Sequence, residues 1–135
     1  MREIKFRAWD YNNEKIIPWE NIRVEKDESE TNMSVIVFDG SVGDHFDDFP
    51  IMQYTGIDSE DELEIFEGDI VKQEETLFGV VDTDLEFTGV VKMLEGCWVI
   101  DNGKDSVYLW SETACNQIIG NIYENPELLE VEANA

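Results

Sequence analysis

Short runs of β-branched or alternating apolar residues recur along the chain, and turn signals separate them at intervals of about eight to twelve residues. This spacing leaves little room for helices and is typical of small β-sandwiches and barrels. Strands are predicted at residues 4–9, 15–17, 21–24, 33–38, 50–56, 66–71, 78–81, 89–94, 97–100, 107–110 and 118–123. Residues 41–48 are predicted to form a loop or a short helix, and residues 59–64 a short helix or an acidic linker. The predicted fold class is therefore mainly β, with a minor α+β component.

The spacing of the strands also predicts how the chain is divided. Residues 66–123 consist of short strands separated by turns, and this stretch has the right length for a five-stranded SH3-like β-barrel. The predicted parts are a small N-terminal β-rich portion, an acidic linker, the barrel and a frayed tail, at residues 1–57, 58–65, 66–129 and 130–135. Within the barrel, Asn102-Gly103 is the strongest hairpin signal, because both residues accept the positive φ angles of a two-residue turn.

A strong excess of acidic residues excludes several classes of function. The chain has 32 Asp and Glu against nine Lys and Arg, which gives a formal net charge of -23. A protein that wraps duplex DNA needs a basic face to neutralise phosphates, so direct nucleic-acid binding is not expected. Adhesion to an anionic membrane is excluded for the same reason, and no apolar run reaches the length of about 18 residues that spans a bilayer. The first residues lack the apolar core of a signal peptide, so we expect a cytoplasmic location.

The charge is unevenly distributed along the chain. Residues 1–26 hold six cations and five acids and net +1, whereas residues 27–135 hold three cations and 27 acids and net -24. Spread evenly, the net charge would be roughly threefold sparser than the phosphates of duplex DNA. Acids gathered on one face would approach the charge density of DNA, so one hypothesis is an inhibitor that mimics DNA. The other hypothesis is that the acidity only maintains solubility. The near-neutral residues 1–26 include a predicted edge strand and are the better candidate surface for a homo-oligomer.

One histidine lies within a cluster of carboxylates. His45 is flanked by Asp44, Asp47 and Asp48, and imidazole and carboxylate groups are suitable ligands for divalent metals. These four residues are therefore candidate metal ligands, and a metal-dependent enzyme around His45 is a hypothesis. The alternative is a solvated acidic loop, because clustering in the sequence does not supply ligand geometry. The chain contains no recognisable catalytic or phosphate-binding motif, so we assign no catalytic residue, no metal site and no cofactor.

The two cysteines are expected to be reduced thiols. Cys97 and Cys115 form no Cys-x-x-Cys pair, and a cytoplasmic location favours free thiols over a disulfide. Cys97 lies in an apolar run, so we expect it to pack as a small hydrophobic side chain.

Three segments of the chain stand in a distinctive order and spacing. They are IKFRAWD at residues 4–10, MQYTGI at 52–57 followed by FEGDIV at 66–71, and IIGNIYENPELL at 118–129. Together they resemble the YopX family of small phage and prophage proteins. The resemblance implies a small N-terminal portion joined to an SH3-like barrel, a phage or prophage gene and the cytoplasm of a bacterial host, but no known activity. Between Gly56 and Phe66 the family usually carries a basic turn with Asn-Gly, whereas residues 58–63 here are acidic and lack Asn-Gly.

The predicted function is that of a non-enzymatic phage or prophage accessory protein that binds a host or phage protein. SH3-like barrels commonly present grooves between loops, and Trp19, Trp98 and Trp110 are candidates to line such a groove. The DNA mimic, whose target would be a host DNA-binding enzyme, and the metal-dependent enzyme are the alternatives.

The uncompensated charge should make the fold sensitive to salt. We expect the free energy of unfolding to rise when NaCl is raised from low to moderate concentration, because screening relieves the repulsion among the acids. Urea unfolding at several NaCl concentrations measures this. A free energy that falls with added salt would contradict the expectation, and an equal concentration of sucrose is the control for a general cosolute effect.

Overall fold

A computed structural model describes residues 3–26, 33–39, 42–46, 48–77 and 80–129, and most of these residues lie in strands. The prediction of a mainly β fold is confirmed. The chain divides into two compact units, Met1–Tyr54 and Thr55–Ala135. The sequence places the end of the N-terminal portion at residue 57, close to this boundary. No helix within the described ranges is long and apolar enough to cross a membrane.

The first unit consists of five strands, a short 3-10 helix and the start of a sixth strand. In chain order these are β1 (Phe6–Asp10), β2 (Lys15–Ile17), the 3-10 helix (Trp19–Asn21), β3 (Ile22–Lys26), β4 (Met33–Asp39), β5 (Val42–Phe46) and β6 (Ile51–Asp58). β1 pairs antiparallel with β2 on one side and with β6 on the other. β3, β4 and β5 form a separate antiparallel sheet, in that order.

The turn between β1 and β2 is built around the carboxylate of Asp10. Asp10 is only 5% exposed, and its Oδ1 accepts hydrogen bonds from the backbone N–H groups of Asn12 and Asn13 at 2.9 and 3.1 Å. The side-chain amide of Asn13 donates to Oδ2 at 2.8 Å. Burial raises the pKa of Asp10, but these hydrogen bonds outweigh it and hold the pKa below the ordinary 3.8. Asp10 is therefore a structural residue that closes the hairpin of β1 and β2.

The second unit begins within β6 and contains six further strands. These are β7 (Glu64–Phe66), β8 (Asp69–Leu77), β9 (Val80–Leu94), β10 (Cys97–Asp101), β11 (Ser106–Tyr108) and β12 (Ala114–Asn121). β8 to β11 form an antiparallel meander, and β12 returns to pair with β8, so the sheet order is β11-β10-β9-β8-β12. The sequence predicts a five-stranded barrel in this part of the chain, and the sheet has five strands. Its core is a cluster of fully or nearly fully buried aliphatic residues, namely Ile65, Val71, Val91, Ile100 and Leu109.

Two local predictions are wrong, and each has a physical reason. Residues 42–46 are strand β5 and not a loop or short helix, because hydrogen bonding along β4 outweighs their weak intrinsic preference. The two strands predicted within residues 78–94 belong to one strand of 15 residues, β9, although its pairing with β8 shifts register between Asp82 and Glu86. A glycine occupies position 89 within this strand because a Cβ atom there would lie only 2.5 Å from the backbone oxygen of Asp101.

The acidic residues after β6 form a turn and not a helix. The backbone N–H of Ser59 donates to the oxygen of Leu63 at 2.8 Å, and the N–H of Leu63 donates to Ser59 Oγ at 3.2 Å. Glu62 adopts a φ of 63°. β7 follows directly, so the segment predicted as an acidic linker is part of a hairpin in the second unit.

The turns of the FEGDIV and IIGNIYENPELL segments are also structural. In the first, Asp69 Oδ2 accepts the backbone N–H of Phe66 at 2.8 Å, and Gly68 has a φ of 87°. In the second, Asn121 Oδ1 accepts the N–H groups of Tyr123 and Glu124 at 3.0 and 2.8 Å. The two turns are joined by a hydrogen bond from the N–H of Ile122 to the oxygen of Gly68 at 2.9 Å. These residues hold the ends of strands β8 and β12 together.

The Asp10 turn gives a test that depends on pH. Asp10→Ala should lower the local opening free energy of the β1 amides by about 1 kcal/mol near neutral pH, because it removes the carboxylate that accepts three hydrogen bonds in the turn. The folded pKa of Asp10 is depressed, so its stabilisation is present above pH 3.8 and is lost as the pH falls through the folded pKa. The difference in local opening free energy between variant and parent should therefore become smaller as the pH falls below 3.8. Amide hydrogen exchange measures it, with Asp105→Ala in an exposed turn as the control, and a constant difference across this pH range would contradict the role.

Candidate functional site

An open groove of about 760 Å³ lies on the second unit, on the side where β10, β11 and the segment after β11 meet. Its lining includes three aromatic side chains, Trp98, Tyr108 and Trp110. Trp98 is half-buried and packs against the core cluster of the second unit. Tyr108 and Trp110 are 69% and 63% exposed. We refer to this feature as the aromatic groove.

The exposure of Tyr108 and Trp110 follows from the residue between them. The chain bends at Leu109, directly after β11, and this residue is buried while both of its neighbours are exposed. Leu109 is fully buried in the core, and its backbone N–H donates to the oxygen of Trp98 at 3.1 Å. The two aromatic side chains are therefore held at the surface by the anchoring of Leu109, although exposing such large apolar groups is unfavourable in water.

A pair of buried amides fixes the backbone of this segment. The Nε2 group of Gln73, on β8, lies within hydrogen-bond distance of three acceptors, the backbone oxygens of Tyr108 and Leu109 at 3.1 and 3.3 Å and Asn116 Oδ1 at 3.0 Å. Asn116, on β12, donates from Nδ2 to the oxygen of Leu109 at 2.8 Å. Gln73 and Asn116 are 5% and 8% exposed. Strands β8 and β12 thus hold the backbone of Tyr108 and Leu109 in one position through buried hydrogen bonds.

The chain after Trp110 is tied to the sheet by a short polar turn. The backbone N–H of Thr113 donates to Ser111 Oγ at 3.3 Å, and Thr113 Oγ1 donates to Glu75 Oε2 at 2.9 Å. Glu75 and the exposed Glu112 place two carboxylates among the lining residues. Because the turn is hydrogen bonded at both ends, the groove is a largely preformed surface.

A second cavity of about 400 Å³ adjoins the aromatic groove and shares Ile57, Trp110 and Ser111 with it. Its other lining residues include Asp58 and Glu60. Across the described residues that line the two cavities there are four carboxylates and no Lys, Arg or His. The combined surface is therefore apolar, aromatic and acidic.

The thiols of the second unit are free, and they differ in environment. Cys97 lines the groove and is exposed, so the expectation that it packs as a buried hydrophobic side chain is wrong. Cys115 is half-buried, and its pKa is raised by burial and by the carboxylates of Glu60 and Glu74. A raised pKa keeps this thiol protonated at neutral pH, which is the opposite of an activated nucleophile.

The predicted metal ligands lie in and after β5 of the first unit. Asp44 and His45 are residues of β5, paired in register with Val37 and Ile36 on β4. Asp48 accepts a hydrogen bond from the hydroxyl group of Tyr11, which raises the pKa of that hydroxyl. Asp47 lies outside the described residues. Among the residues that are described, no group of three or more His, Cys, Asp or Glu side chains is arranged to hold a metal ion.

The structure brings together two of the three predicted groove residues. Trp98 and Trp110 line the aromatic groove, whereas Trp19 belongs to the first unit, where its ring lies 6.0 Å from that of Phe6. Sequence reasoning missed Tyr108 and Gln73. Alternation around Leu109 was a signal that could have identified Tyr108, but no sequence signal marks Gln73, whose role depends on contacts with distant segments.

Removal of the Gln73 amide should disturb the groove. Gln73→Met leaves the buried oxygens of Tyr108 and Leu109 with fewer donors, and we expect it to destabilise the second unit by about 1–3 kcal/mol. Gln117→Met, at an exposed position on the neighbouring strand, is the matched control and should change stability little. Urea unfolding, followed by tryptophan fluorescence, measures the free energy of unfolding of both variants. Equal stability of the two variants would contradict the role of Gln73.

Comparison with known proteins places these features in a family. The sequence profile described as "YopX protein" matches residues 5–130. No curated protein matches the chain. The match covers most of the two units and includes the aromatic groove.

Two solved structures share the fold. Protein EF1440 from Enterococcus faecalis is 23% identical, with a TM-score of 0.62 over 96% of this chain and 99% of that one. Protein yopX from Bacillus subtilis is 22% identical, with a TM-score of 0.64 over 95% of this chain and 98% of that one. The profile match, supported by this shared fold, shows that the chain belongs to the YopX family.

Proposed function

We propose that this protein is a non-enzymatic binding module, which holds a segment of another protein in the aromatic groove of its second unit. The observation that carries the proposal is the pair of highly exposed aromatic side chains, Tyr108 and Trp110, on either side of the fully buried Leu109. Tyr and Trp are enriched among the residues that dominate binding energy at protein interfaces. A groove fixed by buried hydrogen bonds also loses little conformational entropy when a partner binds.

The family supports the setting in which such a module would act. Membership of the YopX family favours a phage or prophage accessory protein in the cytoplasm of a bacterial host. The partner is then a host or phage protein. A metal-dependent reaction around His45 is not required by this proposal, since the groove and the β5 residues belong to different units.

The alternative of an acidic DNA mimic makes a different prediction about salt. A mimic is held by charge alone, so its affinity for a DNA-binding enzyme should collapse between low and moderate salt. Contacts made by Tyr108 and Trp110 bury apolar surface and should lose much less affinity over the same range. Titration of an identified partner at several NaCl concentrations therefore separates the two functions.

Photo-cross-linking tests the groove directly. Benzoylphenylalanine in place of Trp110 should capture a discrete protein when the full chain is expressed in Bacillus subtilis or Enterococcus faecalis cells. The matched control carries the same group in place of Leu63, which is 56% exposed and does not line the groove. Absence of a product specific to position 110 would contradict the proposal.

The affinity of the captured partner provides the second measurement. Trp110→Ala should weaken binding of the purified partner by about tenfold or more, because it removes a large apolar contact at the groove. Leu63→Ala should leave the affinity within about twofold of the parent. Equal weakening by both variants would show that the partner binds elsewhere.

A further inference from the structure

We infer that the occupant of the aromatic groove is an extended peptide segment of another protein that places lysine or arginine beside proline or aliphatic residues. This inference rests on the proposed function and specifies its partner. It is carried by the combination of aromatic faces and carboxylates in the lining, together with the absence of any cation among the described residues there.

The aromatic side chains offer binding sites for both kinds of residue. Proline and aliphatic side chains pack on exposed aromatic rings, and cations bind over the faces of Trp and Tyr rings. Tyr108, the last residue of β11, and Trp110, which follows the bend at Leu109, are both exposed and both line the aromatic groove. A peptide that lies along the groove can contact both rings, whereas a ligand the size of one side chain would cover only one of them.

The carboxylates select a cationic peptide over a neutral one. Glu75 and Glu112 line the aromatic groove, and Asp58 and Glu60 line the adjoining cavity, which shares Trp110 with the groove. A peptide that occupies both cavities would therefore meet two carboxylates in each. An acidic peptide would be repelled, and a neutral peptide would gain nothing from these charges.

The cations of the second unit do not compensate these acids. The unit has three cations and 20 acids, for a net charge of -17. Lys72 pairs with Glu74 and Glu86 at 3.3 and 3.5 Å, and Lys92 pairs with Asp101 at 3.1 Å. Lys104 lies in the exposed turn between β10 and β11. None of these three cations lines the aromatic groove or the adjoining cavity.

Three peptide pools test the inference against the purified full chain. Each pool consists of decapeptides in which alternate positions carry a mixture of Leu, Val, Pro and Tyr. The remaining positions carry lysine, glutamine or glutamate in the cationic, neutral and acidic pools respectively. Binding is followed by isothermal calorimetry, and the site by the amide NMR signals of residues 108–113.

The cationic pool should bind about tenfold more tightly than the neutral pool, and the acidic pool should not bind. Glu75→Gln combined with Glu112→Gln should reduce this preference at least about threefold, whereas Glu127→Gln, at an exposed acid outside the groove, should not. Glutamine at position 75 retains an acceptor for Thr113, so the groove stays folded. Trp110→Ala should weaken binding of the cationic pool.

Other outcomes separate failure of this inference from failure of the proposed function. Equal affinity of the cationic and neutral pools would overturn the cationic partner while leaving a peptide groove. Binding that is unchanged by Trp110→Ala overturns the assignment to this groove. A concentration-dependent dimer of the unliganded chain that is lost in Trp110→Ala would identify the occupant as a second copy and overturn it too. Failure of all pools, together with a specific cross-link from position 110, would leave the binding module and reject the cationic peptide.

Discussion

The buried amides of Gln73 and Asn116 determine where the exposed part of the second unit lies. They connect β8 and β12 to the segment that follows β11, which would otherwise be held mainly by the side chain of Leu109. Buried amides are costly unless their hydrogen bonds are made, and here the donors and acceptors satisfy one another. The same contacts that stabilise the sheet therefore also fix the aromatic groove. A change at Gln73 is therefore expected to alter both the stability of the second unit and the binding of a partner in the groove.

The segments that identify the family have a different task from the groove. Asp10, Asp69 and Asn121 each accept backbone N–H groups in a turn, and each is almost fully buried. A short carboxylate or amide side chain can satisfy two donors in such a turn, which a longer or apolar side chain cannot do. These residues place a turn from each segment at the end of a strand. Tyr108 and Trp110 lie outside all three segments, so the resemblance carries the fold and says little about what the groove binds.

The sequence predicts local pairing well and long-range contacts poorly. The hairpin around Asp10 and the turn at Asn102-Gly103 could be predicted because their signals are contained within a few residues. Strand β5 was missed because its stability comes from β4, and Gly89 was taken as the start of a strand because its close approach to Asp101 is not visible in one dimension. Trp98 and Trp110 were found as aromatic residues, but their meeting in one groove depends on the fold of β10 and β11.

The unit boundary changes the meaning of the net charge. Residues 1–26 are near neutral, but the whole first unit holds 12 acids and six cations and nets -6, against -17 for the second unit. Both units are acidic, so the first is not a neutral counterpart to an acidic second one. A field of this size favours the approach of cationic partners and slows that of acidic ones, with an effect that salt reduces. A net negative charge attracts cationic partners of any shape, so it does not distinguish one cationic partner from another. That choice falls to the apolar contacts at Tyr108 and Trp110, whose positions are fixed by buried hydrogen bonds and are independent of salt.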